Sequence, residues 1–195
     1  MKHRAILAPL AFLPLAACVS FGGKAPTVPL LTLVPEAQLA VGETRSTGDA
    51  ASITIAVPAF SQELATPRVP VRAGGTVAYL KDTQWVEPPA RLFARLLSDT
   101  VSARTGRVVL STRQSLMSPG ARLTGELRRF GVEADTREAV VTYDASLMRG
   151  KDPVFEKRRF EARVPVAEIA PAAVGDALNQ AANRVAGEVA AWIGS

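Results

Sequence analysis

Two side chains in this 195-residue sequence are each the only one of their kind, Cys18 and His3. A thiol and an imidazole are the usual instruments of nucleophilic catalysis and of tight metal binding. Both lie at the front of the chain, Cys18 directly behind the apolar stretch LPLAA. If the segment ahead of Cys18 is a removable leader, His3 leaves with it. The remaining chain then has no Ser-His or Cys-His arrangement and no His or Cys ligand for a metal. Carboxylates survive as candidates, and Glu126 with Asp144 can be drawn as a pair on adjacent strands. With 18 acidic residues such coincidences are guaranteed, and nothing marks this one. Most hydrolase mechanisms are excluded. An enzyme is not expected, and no metal or cofactor is implied.

The front end reads as a leader. Met1-Lys2-His3-Arg4 is basic, Ala5 to Leu15 is apolar, and Ala16-Ala17 are small, which is the order of a secretory signal over residues 1–17. The apolar run is about 11 residues, whereas a bilayer-spanning helix needs roughly 20. Leu15-Ala16-Ala17-Cys18 resembles the bacterial lipobox, which implies cleavage between Ala17 and Cys18 and acylation of Cys18 with palmitate-like chains. With Cys18 acylated, no free thiol and no disulfide remain. Residues 18–29 contain Gly22, Gly23, Pro26 and Pro29 and read as a flexible tether. Extended, such a tether reaches roughly 35–40 Å. Val19 is not the aspartate that often marks inner-membrane retention. This favours the periplasmic face of the outer membrane of a Gram-negative-type envelope over the inner membrane. The formal net charge is +5, and Lys2 and Arg4 leave with the leader. The mildly basic remainder and its compartment argue against a nucleic-acid partner.

The elements that must position everything else come from residues 30–195, read as one domain. Leu30 to Val34 predicts a short apolar strand, Glu36 to Ala51 a loop, and Ser52 to Phe60 a buried strand ending at Pro58. Gly74-Gly75 predicts a hairpin between Val69–Arg72 and Thr76–Leu80, followed by a second turn before Gln84-Trp85-Val86. Pro88-Pro89 opens a helix whose apolar stripe is Leu92, Phe93, Leu96, Leu97, Thr100 and Val101, closed by Gly106. Arg107 to Ser111 follows as a strand. In Arg122 to Ala134 the apolar residues change phase, from Leu123 and Leu127 to Phe130, Val132 and Ala134, which predicts a bulge near Arg128-Arg129. Arg137 to Met148 alternates cleanly, Arg149 to Pro153 turns, and Val154 to Val166 alternates again. The three segments predict an antiparallel meander with one wet face. From Pro171 a last helix carries Val174, Leu178, Ala181, Val185, Val189 and Trp192 on one stripe. The expected class is α+β, an antiparallel or mixed sheet with two amphipathic helices packed on one face.

Four stretches in order carry a family resemblance: the lipobox at Cys18, VAYLKDTQWVEPPARLFARLL (77–97), RLTGELRRFGVE (122–133) with AVVTYDASLM (139–148), and FEKRRFEARVPV (155–166) leading to a terminal helix ending AAWIG. The chain resembles the ABC-type transport auxiliary lipoproteins, the family that includes the paraquat-inducible lipoprotein. The resemblance implies an accessory part of an envelope lipid transporter. Such a part works beside a periplasmic mammalian-cell-entry (MCE) protein, a permease and an ATPase. It also allows a homo-oligomer. An alternative is an outer-membrane lipid carrier or assembly lipoprotein with its own ligand cavity. The small residues of the last helix argue instead for close packing.

Two surfaces are candidates for docking. Tyr79, Asp82 and Trp85 lie in a turn-rich stretch, and Tyr and Trp are favoured interface anchors. The plainer reading packs Trp85 over the start of the first helix and gives Asp82 to turn chemistry. Arg128, Arg129, Lys157, Arg158, Arg159 and Arg163 would form a basic sheet face for lipid head groups or an acidic partner. The plainer reading is a solvated face balanced by Glu126, Glu156 and Glu161. Trp192 reads as an end-plug of the core.

Overall fold

The computed structural model describes residues 28–48, 50–117, 119–150 and 154–194. The leader, the Ala17–Cys18 cleavage site and most of the tether lie outside the described residues, as does part of the 149–153 turn. In chain order the elements are β1 (Leu30–Leu31), β2 (Ser52–Ile55), β3 (Ala59–Phe60), β4 (Pro70–Ala73), β5 (Thr76–Tyr79), β6 (Gln84–Trp85), α1 (Pro89–Thr105), β7 (Val108–Leu110), α2 (Thr112–Ser115), β8 (Ala121–Glu133), β9 (Glu138–Met148), β10 (Phe155–Pro165) and α3 (Pro171–Gly194). One 3-10 turn covers Gln62–Leu64.

Alternation builds the centre. β8, β9 and β10 pair antiparallel over their full lengths. Leu123 and Leu127, then Phe130 and Val132, face the core together with Val141, Tyr143, Phe160 and Val164. The change of phase is the predicted bulge: Leu127 pairs with Tyr143 and Arg129 with Thr142, leaving Arg128 as the extra residue. A one-residue insertion is what keeps both halves of β8 apolar-inward, because side chains alternate with period two. The main path of the eight-stranded sheet runs β10-β9-β8-β2-β7. It is mixed, since β2 pairs parallel with both β7 and β8.

The outer edge of β8 corrects one expectation. Ser52 to Phe60 is not a single buried strand. β2, β3 and β4 take turns along β8, opposite Ala121–Leu123, Glu126–Leu127 and Val132–Glu133. Pro58 has no N–H to give to a ladder. The chain therefore leaves β8 after Ala56, whose N–H still reaches the Leu123 carbonyl at 3.0 Å, and Ala59 and Phe60 end up exposed.

Both long helices cover the inner face. α1 has proline at its first positions and ends at Gly106, whose φ of 73° is left-handed. α3 packs along β9 and β10 and against α1. Its contact side is largely alanine: Ala177, Ala181, Ala182, Ala186 and Ala190 are all buried. Small residues bring the helix axis close to the sheet and leave little void. Its last carbonyls, on Trp192 and Ile193, accept hydrogen bonds from Arg149 at 3.0 and 3.1 Å, which satisfies helix-end groups that otherwise lack partners. The short α2 is announced by Ser111 and Gln114, whose reciprocal bonds form a capping box.

The expected strand Leu30 to Val34 is real only at Leu30-Leu31, which pair parallel with β6. Beyond it, side chains of α3 replace the missing strand partner. Asn179 Oδ1 accepts from the Val34 N–H at 2.8 Å and Asn183 Oδ1 from the Glu36 N–H at 2.9 Å. The Asn183 amide also donates to the Val34 carbonyl at 2.9 Å. Residues 30–36 are thus a strap held on α3. Asn183→Ala is expected to cost about 0.5–1.5 kcal/mol, because the part-buried backbone groups of Val34 and Glu36 lose a side-chain partner. A lower urea midpoint together with earlier protease cleavage within residues 30–40 checks it.

Gly125 marks the tightest place in the sheet. A Cβ there would lie 2.3 Å from the Asp144 carbonyl oxygen and 2.6 Å from the Tyr143 ring. The ring fills the room a side chain would take, and its hydroxyl donates to the Thr124 carbonyl at 3.0 Å. Burial raises the Tyr143 pKa and holds the phenol neutral. Gly125→Ala is expected to cost about 1–3 kcal/mol through overpacking. Gly175→Ala is the informative control: its Cβ meets only the mobile end of the Leu31 side chain, at 2.8 Å. Equal melting temperatures for the two variants would refute the assignment.

Candidate functional site

The first candidate group does not assemble. Tyr79, at the end of β5, donates its hydroxyl to the Glu63 carbonyl at 3.4 Å and carries the Arg68 guanidinium 4.2 Å above its ring. Asp82 is exposed in the turn and takes a left-handed φ of 55°, a conformation aspartate tolerates better than most residues. Trp85 is 1% exposed. Its ring stands edge-on to Phe130 at 5.4 Å and belongs to an aromatic row with Phe93 and Tyr143. Interface anchoring by Trp85 is therefore corrected: β6 turns its side chain inward, where only apolar neighbours can cover so large a ring. Trp192 instead lies partly buried with its ring 5.6 Å from Phe160.

The second candidate group is brought together, with its charges matched. Glu126 and Asp144 face each other across β8 and β9. Arg159 grips Asp144 with two bonds, of 2.6 and 2.7 Å. Arg128, pushed out by the bulge, donates to Glu126 at 3.0 Å and lies 3.6 Å from Asp144. Arg129 pairs with Glu133, and Arg163 with Glu138 and Glu161. Glu161 also accepts from the Thr142 hydroxyl at 2.8 Å, and Arg72 pairs with Glu63 beside this face. Arg158 departs from the group, since alternation sets it with Phe160, whose ring it covers at 5.0 Å. Lys157 remains at the β10 margin without an ion pair among the described residues. The face is thus a lattice of ions rather than a bare basic surface. The sequence reading missed Asp144, Glu138 and Glu133 as its counter-charges, because only strand register places them beside their arginines.

The electrostatics follow the geometry. Hydrogen bonds from Arg159, then the charges of Arg159 and Arg128, hold the Asp144 carboxyl below the usual range. Burial pushes Glu161 upward, but bonds from Thr142 and Arg163 outweigh it and its pKa is also lowered. A general acid needs the opposite shift. Asp99, raised by burial, lies apart on α1. Because the folded pKa values of Asp144 and Glu161 lie below their unfolded ones, their stabilisation is present above about pH 4 and is lost as pH falls through the folded values. These groups are largely solvated, so screening by water keeps each pair's contribution small. Asp144→Asn is expected to lower the urea midpoint modestly at pH 7 and to flatten its decline below pH 4 by the same amount, because the variant never has the stabilisation that protonation removes.

Two open concavities flank this lattice. One, of about 500 Å³, is lined by residues including Ser146, Lys157 and Arg159, and the other, of about 430 Å³, by residues including Arg72, Arg129 and Glu161. A further void beside Pro70 and Gly131 measures only about 10 Å³, room for about one water. None of these lies between the sheet and the alanine face of α3, where a ligand cavity was the alternative expectation. Among the described residues, no helix is long and apolar enough to cross a membrane.

Comparison with known proteins gives the following. The sequence model of the family described as ABC-type transport auxiliary lipoprotein component matches residues 32–190. No curated protein matches. A crystal structure of a DUF330-family protein from Xanthomonas campestris superposes with a TM-score of 0.67 at 19% identity, covering 84% of this chain and 94% of the other. A second crystal structure, of an uncharacterized protein, gives 0.62 at 15% identity, covering 85% of this chain and 95% of the other. At these identities the likeness speaks to the fold.

Proposed function

The chain belongs to the family of ABC-type transport auxiliary lipoprotein components, and from that premise we propose that it is the lipid-anchored periplasmic accessory subunit of an ABC-type lipid transporter. Acylated Cys18 holds it at the periplasmic face of a membrane, the outer membrane by the Val19 argument. The domain docks on the system's MCE protein, which works with the permease and ATPase. The observation that carries the reading is a family match that runs from the strap into the last turns of α3, over residues 32–190. A lipobox in register ahead of it supports the anchor. The action is geometric: anchoring raises the effective concentration of the docking surface at one membrane. The filled core favours scaffolding over ligand carriage. Affinity purification of the tagged, acylated protein after crosslinking in cells tests it. Recovery of the MCE protein or permease is expected. Recovery of neither overturns the reading.

A further inference from the structure

Exposed apolar side chains stand at both ends of this domain, Leu30 and Val86 at one and Leu116, Met117, Val154 and Phe155 at the other, and the ends differ in where the tether enters. At one end the described chain begins: the Pro29 carbonyl accepts from the Thr83 hydroxyl at 3.0 Å, Leu30 lies beside Gln84, and Leu31 rests on Gly175 near the start of α3. The strap then follows α3 past Asn179 and Asn183, and Arg45 reaches Gly106 at the far end. There β8 begins, β9 ends and β10 begins, with Arg122, Met148 and Phe155 in register.

That far rim carries exposed apolar residues on both sides of Arg122, which stands in register between Phe155 on β10 and the β2–β7 side. Leu116 and Met117, just after α2, are 82% and 90% exposed, and Val154 and Phe155 at the start of β10 are 68% and 54% exposed. Single exposed apolar residues are ordinary, but four large ones on one rim are a candidate contact surface. Arg113 lies on α2 just before Leu116, Arg122 between the two pairs, and Lys157 two residues beyond Phe155. None has an ion-pair partner among the described residues, unlike Arg128, Arg129, Arg159 and Arg163. The neighbouring acid, Glu156, is taken up by Arg149 at 2.7 Å.

We infer that this rim is the surface by which the domain docks on its transport partner, and that the partner is a protein presenting an apolar patch bordered by carboxylates. The inference rests on the accessory-subunit reading and names the surface it uses. Charge complementarity supplies the acidic border. The tether argues against the anchoring membrane as occupant. β8 spans about 43 Å at 3.3 Å per residue, while the roughly ten residues from Cys18 to Val28 reach about 35 Å at full stretch. The rim therefore faces away from the anchored end.

The test uses the full-length acylated protein in cells, with a photoreactive phenylalanine placed at Met117, at Phe155, or at exposed Val86 on the opposite end. Crosslinks from 117 and 155 to a protein component of the transporter, and none from 86, are expected. Leu116→Ser with Met117→Ser and Phe155→Ser, or separately Arg113→Glu with Arg122→Glu, is expected to lower recovery of that component at least tenfold with the melting temperature unchanged. Crosslinks from 117 and 155 only to lipid, or only to a second copy of this chain, overturn the inference. Undiminished recovery in both variants also overturns it, while leaving the accessory-subunit reading standing. If the unsubstituted chain recovers no transporter component, both fall.

Discussion

Cys18→Ala is expected to release the protein from the membrane fraction and to abolish any acyl mass on it. Each buried methylene contributes about 0.8 kcal/mol, and one acyl chain alone holds a protein only marginally, whereas two or three anchor it durably. The substitution removes the sole thiol in the chain, so no second site can take over the acylation. An uncut leader would not restore the anchor, because an apolar run of about 11 residues falls short of the roughly 20 that span a bilayer. Carbonate-washed membranes should therefore retain the acylated protein and lose the variant. Intact-protein mass spectrometry should show the missing acyl chains. Unchanged retention of an acyl-free protein would remove the anchor from the mechanism. It would also strip the geometric argument of its fixed end.

Trp85→Ala is expected to cost about 3–5 kcal/mol, the range for emptying a buried large aromatic site. For a domain of this size that is a fall in melting temperature of about 6–20 °C. Trp85 is among the largest fully buried side chains, and it links β6 to Phe130 in the centre of β8. Trp85→Phe should cost much less. It keeps an apolar ring against Phe130, and it removes an indole N–H that finds no hydrogen-bond partner. The same pair of variants separates burial from interface anchoring. A partner-facing tryptophan would leave the melting temperature alone and weaken only partner recovery. A melt that does not move in Trp85→Ala would restore the interface reading.

Much of this fold is legible before any coordinates. The phase change from Leu127 to Phe130 locates the bulge, the run from Ala139 to Leu147 marks the core side of β9, and the stripes from Leu92 and Val174 mark the two helices; the half-buried expectation for β9 is corrected, since Val140 and Thr142 on its other side are buried too. Pro88-Pro89, Gly106 and Gly74-Gly75 punctuate them. Each of these signals comes from backbone geometry acting over a few residues. A period of two or of 3.6 is imposed by the strand or helix itself, and turn chemistry depends on local φ. The leader and lipobox expected over residues 1–18 are local signals in the same sense and lie outside the described residues.

Other properties depend on pairs of residues far apart in the chain. Trp85 reads as anchor or as core from its own stretch, and only Phe130, brought against it by β8, decides for core. The basic face is visible as a run of arginines, but its neutralisation requires Asp144 to meet Arg159 across the β9–β10 register. The strap requires Asn179 and Asn183 to stand opposite Val34 and Glu36, more than 140 residues apart in sequence. Local periodicity says which side of an element is apolar. Which charge meets which, and which aromatic is covered, is set by long-range packing, where one residue of register changes every partner.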